Sequence, residues 1–166
     1  MGSKQIISPE RLKELAASLK QENALFFKRL KKLNSDKVDF FFHSAHDEVF
    51  EGFDCLTCAN CCKSISPMIS HRDVDRMAKG LGIKPSVLVE QHLTIDSDGD
   101  YVFRTSPCPF LMPDNYCQIY EHRPKACREY PHTDRRKMQQ ILNITLRNIA
   151  VCPLVFEVVE KFKKEI

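Results

Sequence analysis

The sequence predicts an α+β fold, a helix-rich small domain with short β-hairpins in which loops carry the cysteines. Apolar residues recur at helical spacing near both ends of the chain. In the middle, β-branched and aromatic residues flank short turn sequences, a pattern typical of hairpins. The 166 residues suffice for one compact domain, and 43% hydrophobic with 28% charged residues is an ordinary composition for a globular protein.

The N-terminal part of the chain is predicted to be helical. Ser8 is a suitable N-cap for a helix over residues 9–33, with Pro9 at its first position. The next apolar segment, VDFFFHSAHDEVF, is compatible with helix or strand, and its phenylalanines are expected in the core. We expect residues 1–50 to form an N-terminal helical segment and residues 51–166 to form a cysteine-cluster domain.

The central part predicts two helices and a hairpin. Ser70 and Asp73 indicate the start of a helix that ends at Gly80 or Gly82. The segment KPSVLVEQHL predicts a further short helix, and TIDSDGDYVFRT predicts a hairpin around its acidic turn. A calcium loop is excluded at this turn, because its twelfth position is Pro107 and not the required Glu.

The last third of the chain predicts a second hairpin and two more helices. CPFLMPDNYCQIY indicates a hairpin turned by PDN, with a cysteine near each strand end. EHRPKACREYP indicates a short helix that Pro131 stops, and LVFEVVEKFKKEI indicates an amphipathic one. Residues 137–150 are compatible with either strand or helix.

The sequence contains eight cysteines. The compartment in which the protein is expected decides whether they form disulfides or bind metal. The first twenty residues contain no apolar run of signal-peptide length, and no stretch approaches the length of a membrane helix. We therefore expect a cytoplasmic protein, in which thiols stay reduced and serve as metal ligands in preference to disulfides. The candidate metal ligands are Cys55, Cys58, Cys61, Cys62, Cys108, Cys117, Cys127 and Cys152.

Charge limits the range of partners. The net charge is +3 and the isoelectric point is near 8.4. A nucleic-acid-binding domain usually has a higher isoelectric point, so we expect no nucleic acid and no membrane as partners. A metal ion is the expected partner, and the sequence does not identify a protein partner.

The spacing of the first cysteines is that of metal-binding knuckles. Cys55, Cys58 and Cys61 form two overlapping C-x2-C pairs, which is also how a bacterial iron–sulfur run begins. Cys62 departs from that run, whose remaining ligand comes from a distant Cys-Pro, here Cys108 or Cys152. We expect six sulfurs to converge in space, those of Cys55, Cys58, Cys61, Cys108, Cys117 and Cys127.

The adjacent pair is expected to divide between two centres. Side chains of neighbouring residues diverge in an extended or turning backbone, so Cys61 and Cys62 should point apart. Two centres with four thiols each is the simplest arrangement, with Cys62 or Cys61 joining Cys117 and Cys127. A dinuclear cluster with bridging thiolates is the alternative. Cys152 is also compatible with a small buried apolar role, and three histidines could complete a mixed site, namely His71, His122 and His132.

Three blocks of this chain resemble one known family. CLTCANCC, then CPFL, then YCQIYEHRPKACREYP and a late cysteine are similar to the YkgJ-type cysteine-cluster family over residues 53–153. The resemblance implies a zinc- or iron-chelating domain, with either Zn2+ or iron, including an iron–sulfur cluster, as the cofactor. It implies metal binding through the eight cysteines, arranged on loops around a metal site.

The resemblance leaves the biochemical role open. A similar domain occurs in flagellin lysine N-methylases, so an accessory redox or methyl-transfer enzyme with an iron–sulfur centre is the alternative. The chain has only five glycines and no Gly-rich turn for a nucleotide or S-adenosylmethionine. We therefore expect a metal-binding protein without catalytic activity of its own. A zinc-dependent module that binds a partner or nucleic acid is a third interpretation, which the even charge disfavours.

Two arginines of the last block are candidates for tuning the centre. Arg123 and Arg128 would offset the negative charge of nearby thiolates and could donate hydrogen bonds to sulfur. The alternative is a surface salt bridge from each arginine to Glu121 or Glu129. Three aromatic residues are expected to shield the site from solvent, namely Phe110, Tyr120 and Tyr130.

Overall fold

The computed structural model describes residues 6–166, which form an α+β structure dominated by helices, with one two-stranded antiparallel sheet in that range. The predicted fold class is confirmed. The chain divides into two compact units, one of residues 1–54 with 131–166 and one of residues 55–130. The division at residues 50 and 51 that we expect from the sequence stays a prediction. None of the helices within residues 6–166 is long and apolar enough to cross a membrane.

The first unit consists of helices. Ser8 caps the first of them through the N–H of Arg11, as predicted, but the predicted helix over residues 9–33 is interrupted at Leu19. The segment VDFFFHSAHDEVF, for which the sequence is compatible with helix or strand, is helical. Most of residues 137–150 are helical as well. The helices are α1 Pro9–Ser18, α2 Lys20–Leu30, α3 Ser35–Phe50, α8 Leu142–Asn148 and α9 Pro153–Glu165, with a 3-10 turn at Met138–Ile141.

An aromatic cluster forms the centre of the first unit's core. The ring of Phe162 on α9 lies 5.1 Å from the rings of Phe41 and Phe42 on α3 and 5.4 Å from that of Phe26 on α2. Phe162 is 1% exposed. Edge-to-face and offset ring pairs of this kind add to the free energy gained from apolar burial.

The second unit combines short helices with the sheet. Its elements are 3-10 turns at Cys55–Thr57 and Tyr120–His122, helices α4 Asn60–Ser64, α5 His71–Leu81, α6 Pro85–His92 and α7 Lys125–Glu129, and strands β1 Leu93–Ile95 and β2 Tyr101–Phe103. The first hairpin is confirmed, with Leu93 paired with Phe103 and Ile95 with Tyr101. The helix predicted from Ser70 is also confirmed, since Ser70 and Asp73 form a capping box and Gly82 ends it at φ 67°.

The second predicted hairpin is a tight turn without strands. One antiparallel bridge joins Leu111 to Cys117, and Met112 N–H donates to the Tyr116 carbonyl over 2.8 Å. Pro109 and Pro113 lack the N–H groups that a longer ladder would need. The two cysteines of this segment are nevertheless brought to the base of one turn.

Candidate metal centre

Backbone hydrogen bonds bring Cys62 on α4 together with Cys108 and Cys117, which lie at the two ends of one turn. Cys108 N–H donates to the carbonyl of Cys62 on α4 over 2.9 Å. The bridge between Leu111 and Cys117 then closes the turn that begins at Cys108. Cys127 lies on α7, and the thiols of Cys62, Cys108 and Cys117 each raise its pKa, which places it within electrostatic range of them. These four residues are called the four-thiol group below.

The cysteines of the turn receive hydrogen bonds from the backbone. Phe110 and Leu111 supply such bonds to Cys108, and Ile119 supplies one to Cys117. Each bond lowers the pKa of the thiol that accepts it. Backbone donors two or three residues after a cysteine favour a thiolate over a thiol, because a hydrogen bond to the charged form stabilises that form.

Burial and mutual repulsion oppose ionisation in this group. The pKa of Cys127 is raised to about 12, mainly by burial and to a smaller extent by the neighbouring Cys62, Cys108 and Cys117. Burial likewise raises the pKa of Cys108 to about 11, with smaller contributions from Cys62 and Cys117. The pKa of Cys117 is also raised, mainly by burial. Cys108, Cys117 and Cys127 therefore keep their protons unless another positive charge replaces them.

Arg123 supplies positive charge beside the four-thiol group. It lowers the pKa values of Cys62, Cys117 and Cys127. Its guanidinium lies 3.5 Å from the centre of the Tyr120 ring, and its Nε–H donates to the Tyr120 carbonyl over 2.7 Å. The arginine is thus held by a cation–π contact and a backbone bond while its charge acts on the sulfurs.

Arg128 has a different position. Its side chain is exposed on α7, where Glu129 pairs with Lys125 over 3.6 Å. The expected tuning role of both arginines stays a prediction, and the structure provides supporting contacts for Arg123. Of the three expected shielding residues, Phe110 is buried and Tyr120 is 39% exposed, stacked on Tyr116.

The expectation that Cys61 and Cys62 point apart is wrong. Their sulfurs lie 3.9 Å apart. The expectation assumed an extended or turning backbone, but both residues lie in the helix α4, where successive side chains are about 100° apart and can approach more closely than on a strand. The contact with Cys61 is the main reason that the pKa of Cys62 falls to about 7, against burial and together with the charges of Arg123 and Lys63.

The other cysteines lie before this group or in the other unit. Cys55 is exposed at the start of a 3-10 turn, and Cys58 N–H donates to its carbonyl over 3.1 Å. Ala59 follows in the left-handed region at φ 50° and leads into α4. Cys152 precedes α9 in the first unit and packs against the core there. The expected convergence of Cys55, Cys58 and Cys61 with the others stays a prediction.

The three candidate histidines have other surroundings. His71 packs edge-on against the Tyr101 ring at 5.5 Å, and the His122 ring lies against Gly80. His132 lies in the first unit with φ 67°. Their expected role in completing a mixed site stays a prediction.

Sequence reasoning missed the buried carboxylate of Asp73, which is bonded to the segment that carries Cys127. Asp73 is 2% exposed and accepts hydrogen bonds from Ser70, Arg76 and the backbone of Lys125. The spacing of Ser70 and Asp73 predicts the cap of α5. The bond to Lys125, fifty-two residues later, has no signal in the sequence.

The donor set has the chemistry of a thiophilic metal site. Within residues 6–166, no three His, Cys, Asp or Glu side chains stand as closely as a metal ion requires, so the sulfurs would have to close in. The four-thiol group nevertheless offers four sulfurs, backbone donors to two of them and one neighbouring arginine. A divalent cation replaces the protons and removes the repulsion that raises their pKa values. Zinc and iron are the common metals for such ligands.

One family model matches this chain. Its description is "putative zinc- or iron-chelating domain", it is named CxxCxxCC, and it covers residues 54–147, which is more than half of the chain. The chain belongs to the CxxCxxCC family. No curated protein and no solved structure matches the chain.

Membership in the CxxCxxCC family confirms the resemblance to the YkgJ-type proteins and supports a metal ion as the ligand. The motif of the family name corresponds to Cys55, Cys58, Cys61 and Cys62. The matched range ends before Cys152 and includes the other seven cysteines.

Proposed function

We propose that this CxxCxxCC chain binds zinc or iron through thiolates, with the four-thiol group as its principal site. The observation that carries the proposal is the backbone pairing that brings Cys108 and Cys117 to Cys62, within electrostatic range of Cys127 and Arg123. When bound, the ion supplies a cross-link between α4, the turn that follows Cys108, and α7. The chain's own contribution is to hold the four sulfurs in place and to offset their negative charge.

The remaining cysteines are proposed as further ligands. Cys55, Cys58 and Cys61 would form a second set, or they would share thiolates with the first set in a dinuclear cluster, and Cys152 stays a further candidate ligand. The 3.9 Å between the sulfurs of Cys61 and Cys62 is compatible with such a cluster and equally with two ligands of one ion, because thiolates that bind a common ion lie about this far apart. We propose a reducing compartment such as the cytosol, where these thiols stay available. We propose no catalytic activity for the chain itself.

Metal analysis of protein purified without oxygen tests this function. We expect at least one zinc or iron per chain. An iron–sulfur cluster would give a brown protein with visible absorption, and zinc would give a colourless one. A chain that contains neither metal, and that takes up neither when they are supplied in the reduced state, would contradict the proposal.

The adjacent cysteines provide a matched pair of variants. With Co2+ as the probe, we expect Cys62→Ser to remove the sulfur-to-cobalt absorption of the four-thiol group. Cys61→Ser is expected to keep that absorption, because Cys62 and not Cys61 raises the pKa values of Cys108 and Cys127. Ala126→Ser, next to Cys127, is the control for a hydroxyl placed near the site. Equal losses in both cysteine variants would favour the shared dinuclear cluster over separate centres.

A further inference from the structure

One face of helix α5 contacts the segment that carries Arg123 and Cys127. Asp73, Arg76 and Gly80 are spaced by three and four residues, so they lie on the same side of this helix. We propose that these three residues position residues 120–127 and thereby place Arg123 and Cys127 at the four-thiol group. The Co2+ readout of this inference rests on the proposed function, whereas the alkylation readout on metal-free protein does not.

Asp73 holds the start of α7. Its Oδ1 accepts the N–H of Lys125, the first residue of that helix, over 2.9 Å. Its Oδ2 accepts the N–H and the hydroxyl of Ser70 over 3.0 Å and 2.7 Å. A first-turn N–H has no partner within its own helix, so a buried carboxylate that accepts it fixes where the helix begins. Cys127 follows two residues later.

Arg76 holds the residue that carries the positive charge. One of its guanidinium nitrogens donates to Asp73 and also to the carbonyl of Arg123, the latter over 2.8 Å. The Arg76 side chain is 28% exposed and the Asp73 side chain 3%, so the pair is shielded from water. Charge-assisted bonds with limited access to water are strong and well oriented. The backbone of Arg123 is therefore fixed from the α5 side, while its own guanidinium rests on Tyr120.

Gly80 allows a close approach one helical turn further on. A Cβ atom at this position would overlap the imidazole ring of His122. Only glycine lets the ring of His122 lie directly on the helix backbone. The three contacts of α5 thus reach His122, Arg123 and Lys125 in succession, and none of these contacts involves a thiol.

The first readout uses metal-free protein. The rate of Cys127 alkylation is measured by peptide mass spectrometry under native conditions, with Cys58 as the internal reference. Cys127 is partly buried, so displacement of α7 exposes it. We expect Asp73→Ala and Gly80→Ala to raise the Cys127 rate about tenfold relative to that of Cys58. Asp75→Ala, an exposed acid on the same helix, is the matched control and should leave the ratio unchanged.

The second readout is Co2+ binding. We expect Asp73→Ala and Gly80→Ala to weaken binding about tenfold and to change the sulfur-to-cobalt absorption, while Asp75→Ala keeps both. Asp73→Asn keeps the size of the side chain and can still accept the Lys125 N–H, so we expect it to restore much of the Cys127 protection. If Asp73 and Gly80 only stabilised the unit as a whole, the variants would not differ in this order at Cys127 alone.

Two results would overturn the inference. One is parent-like Cys127 rates in both Asp73→Ala and Gly80→Ala. The other is an equal rise at Cys58 and Cys127 in every variant, which would show general loosening of the unit and no positioning. If the parent protein binds neither zinc nor iron and takes up no Co2+, the proposed function fails, and the alkylation rates alone decide whether α5 positions Cys127.

Discussion

The two compact units differ in what fills their interiors. Among the described residues, the core cluster of the first unit contains eighteen buried apolar residues, five of them phenylalanines, and that of the second contains nine. The second unit instead carries seven of the eight cysteines and the buried Asp73. Apolar burial therefore dominates the stability of the first unit, whereas the second has less of it and needs another source.

Units of this size with small cores are usually stabilised by cross-links, either disulfides or metal ions. In the second unit the four-thiol group joins segments that are distant along the chain, and its members are thiols in the structure. Under the proposed function a metal ion supplies the missing stabilisation. The comparison thus predicts opposite responses of the two units to metal removal and to core substitution.

Removal of the metal is expected to have the largest effect. A structural zinc ion in small domains contributes about 10–16 kcal/mol of binding free energy, which is lost on chelation. We expect amide hydrogen exchange in residues 55–130 to become fast after complete metal removal. Helices α1 to α3, α8 and α9 should keep their protection, because their core contains no proposed ligand except Cys152 at its edge.

The control for this experiment is chelator added with an excess of zinc, which should leave exchange unchanged. Circular dichroism and exchange that stay the same after metal analysis shows complete removal would contradict a structural role for the metal. Equal loss of protection in both units would contradict the comparison itself.

Truncation of Phe162 is the converse experiment. Phe162→Ala removes the ring around which Phe26, Phe41 and Phe42 pack, and a change of this kind costs about 3–5 kcal/mol of unfolding free energy. We expect chemical denaturation to show this loss in the first unit. Metal content per chain should equal that of the parent, because no residue of the four-thiol group lies in this core. Loss of metal in proportion to loss of stability would argue against separate sources of stability.

Local signals in the sequence predict most of the helices. Ser8 with Pro9, and Ser70 with Gly82, are capping signals that depend only on neighbouring residues, and both helices begin where these signals place them. Asn34 was a further such signal, since its side chain accepts the N–H of Lys37 at the start of α3. A cap of this kind indicates a helix and not a strand for the segment that follows. The interruption at Leu19 has no comparable signal.

The site is less predictable because its contacts are long-range. Spacing identifies the cysteines, but the approach of Cys108 to Cys62 depends on a backbone bond across forty-six residues. The orientation of Cys61 and Cys62 depends on whether their backbone is helical, and the short segment NCCKS carries no periodicity that would show this. The link from Asp73 to Lys125 depends on the packing of α5, which no local pattern specifies.

The smallest expected effect compares two N-cap serines, one in each unit. The Ser8 hydroxyl accepts the exposed N–H of Arg11 over 3.3 Å, so Ser8→Ala should cost about 0.5–1 kcal/mol. The Ser70 hydroxyl accepts the N–H of Asp73 and donates to its buried carboxylate, so Ser70→Ala should cost about 1.5–3 kcal/mol. Urea denaturation of metal-loaded protein measures both. Only Ser70→Ala should also weaken Co2+ binding, since it loosens the carboxylate that holds α7. Equal costs and equal affinities would show that Asp73 keeps its place without Ser70.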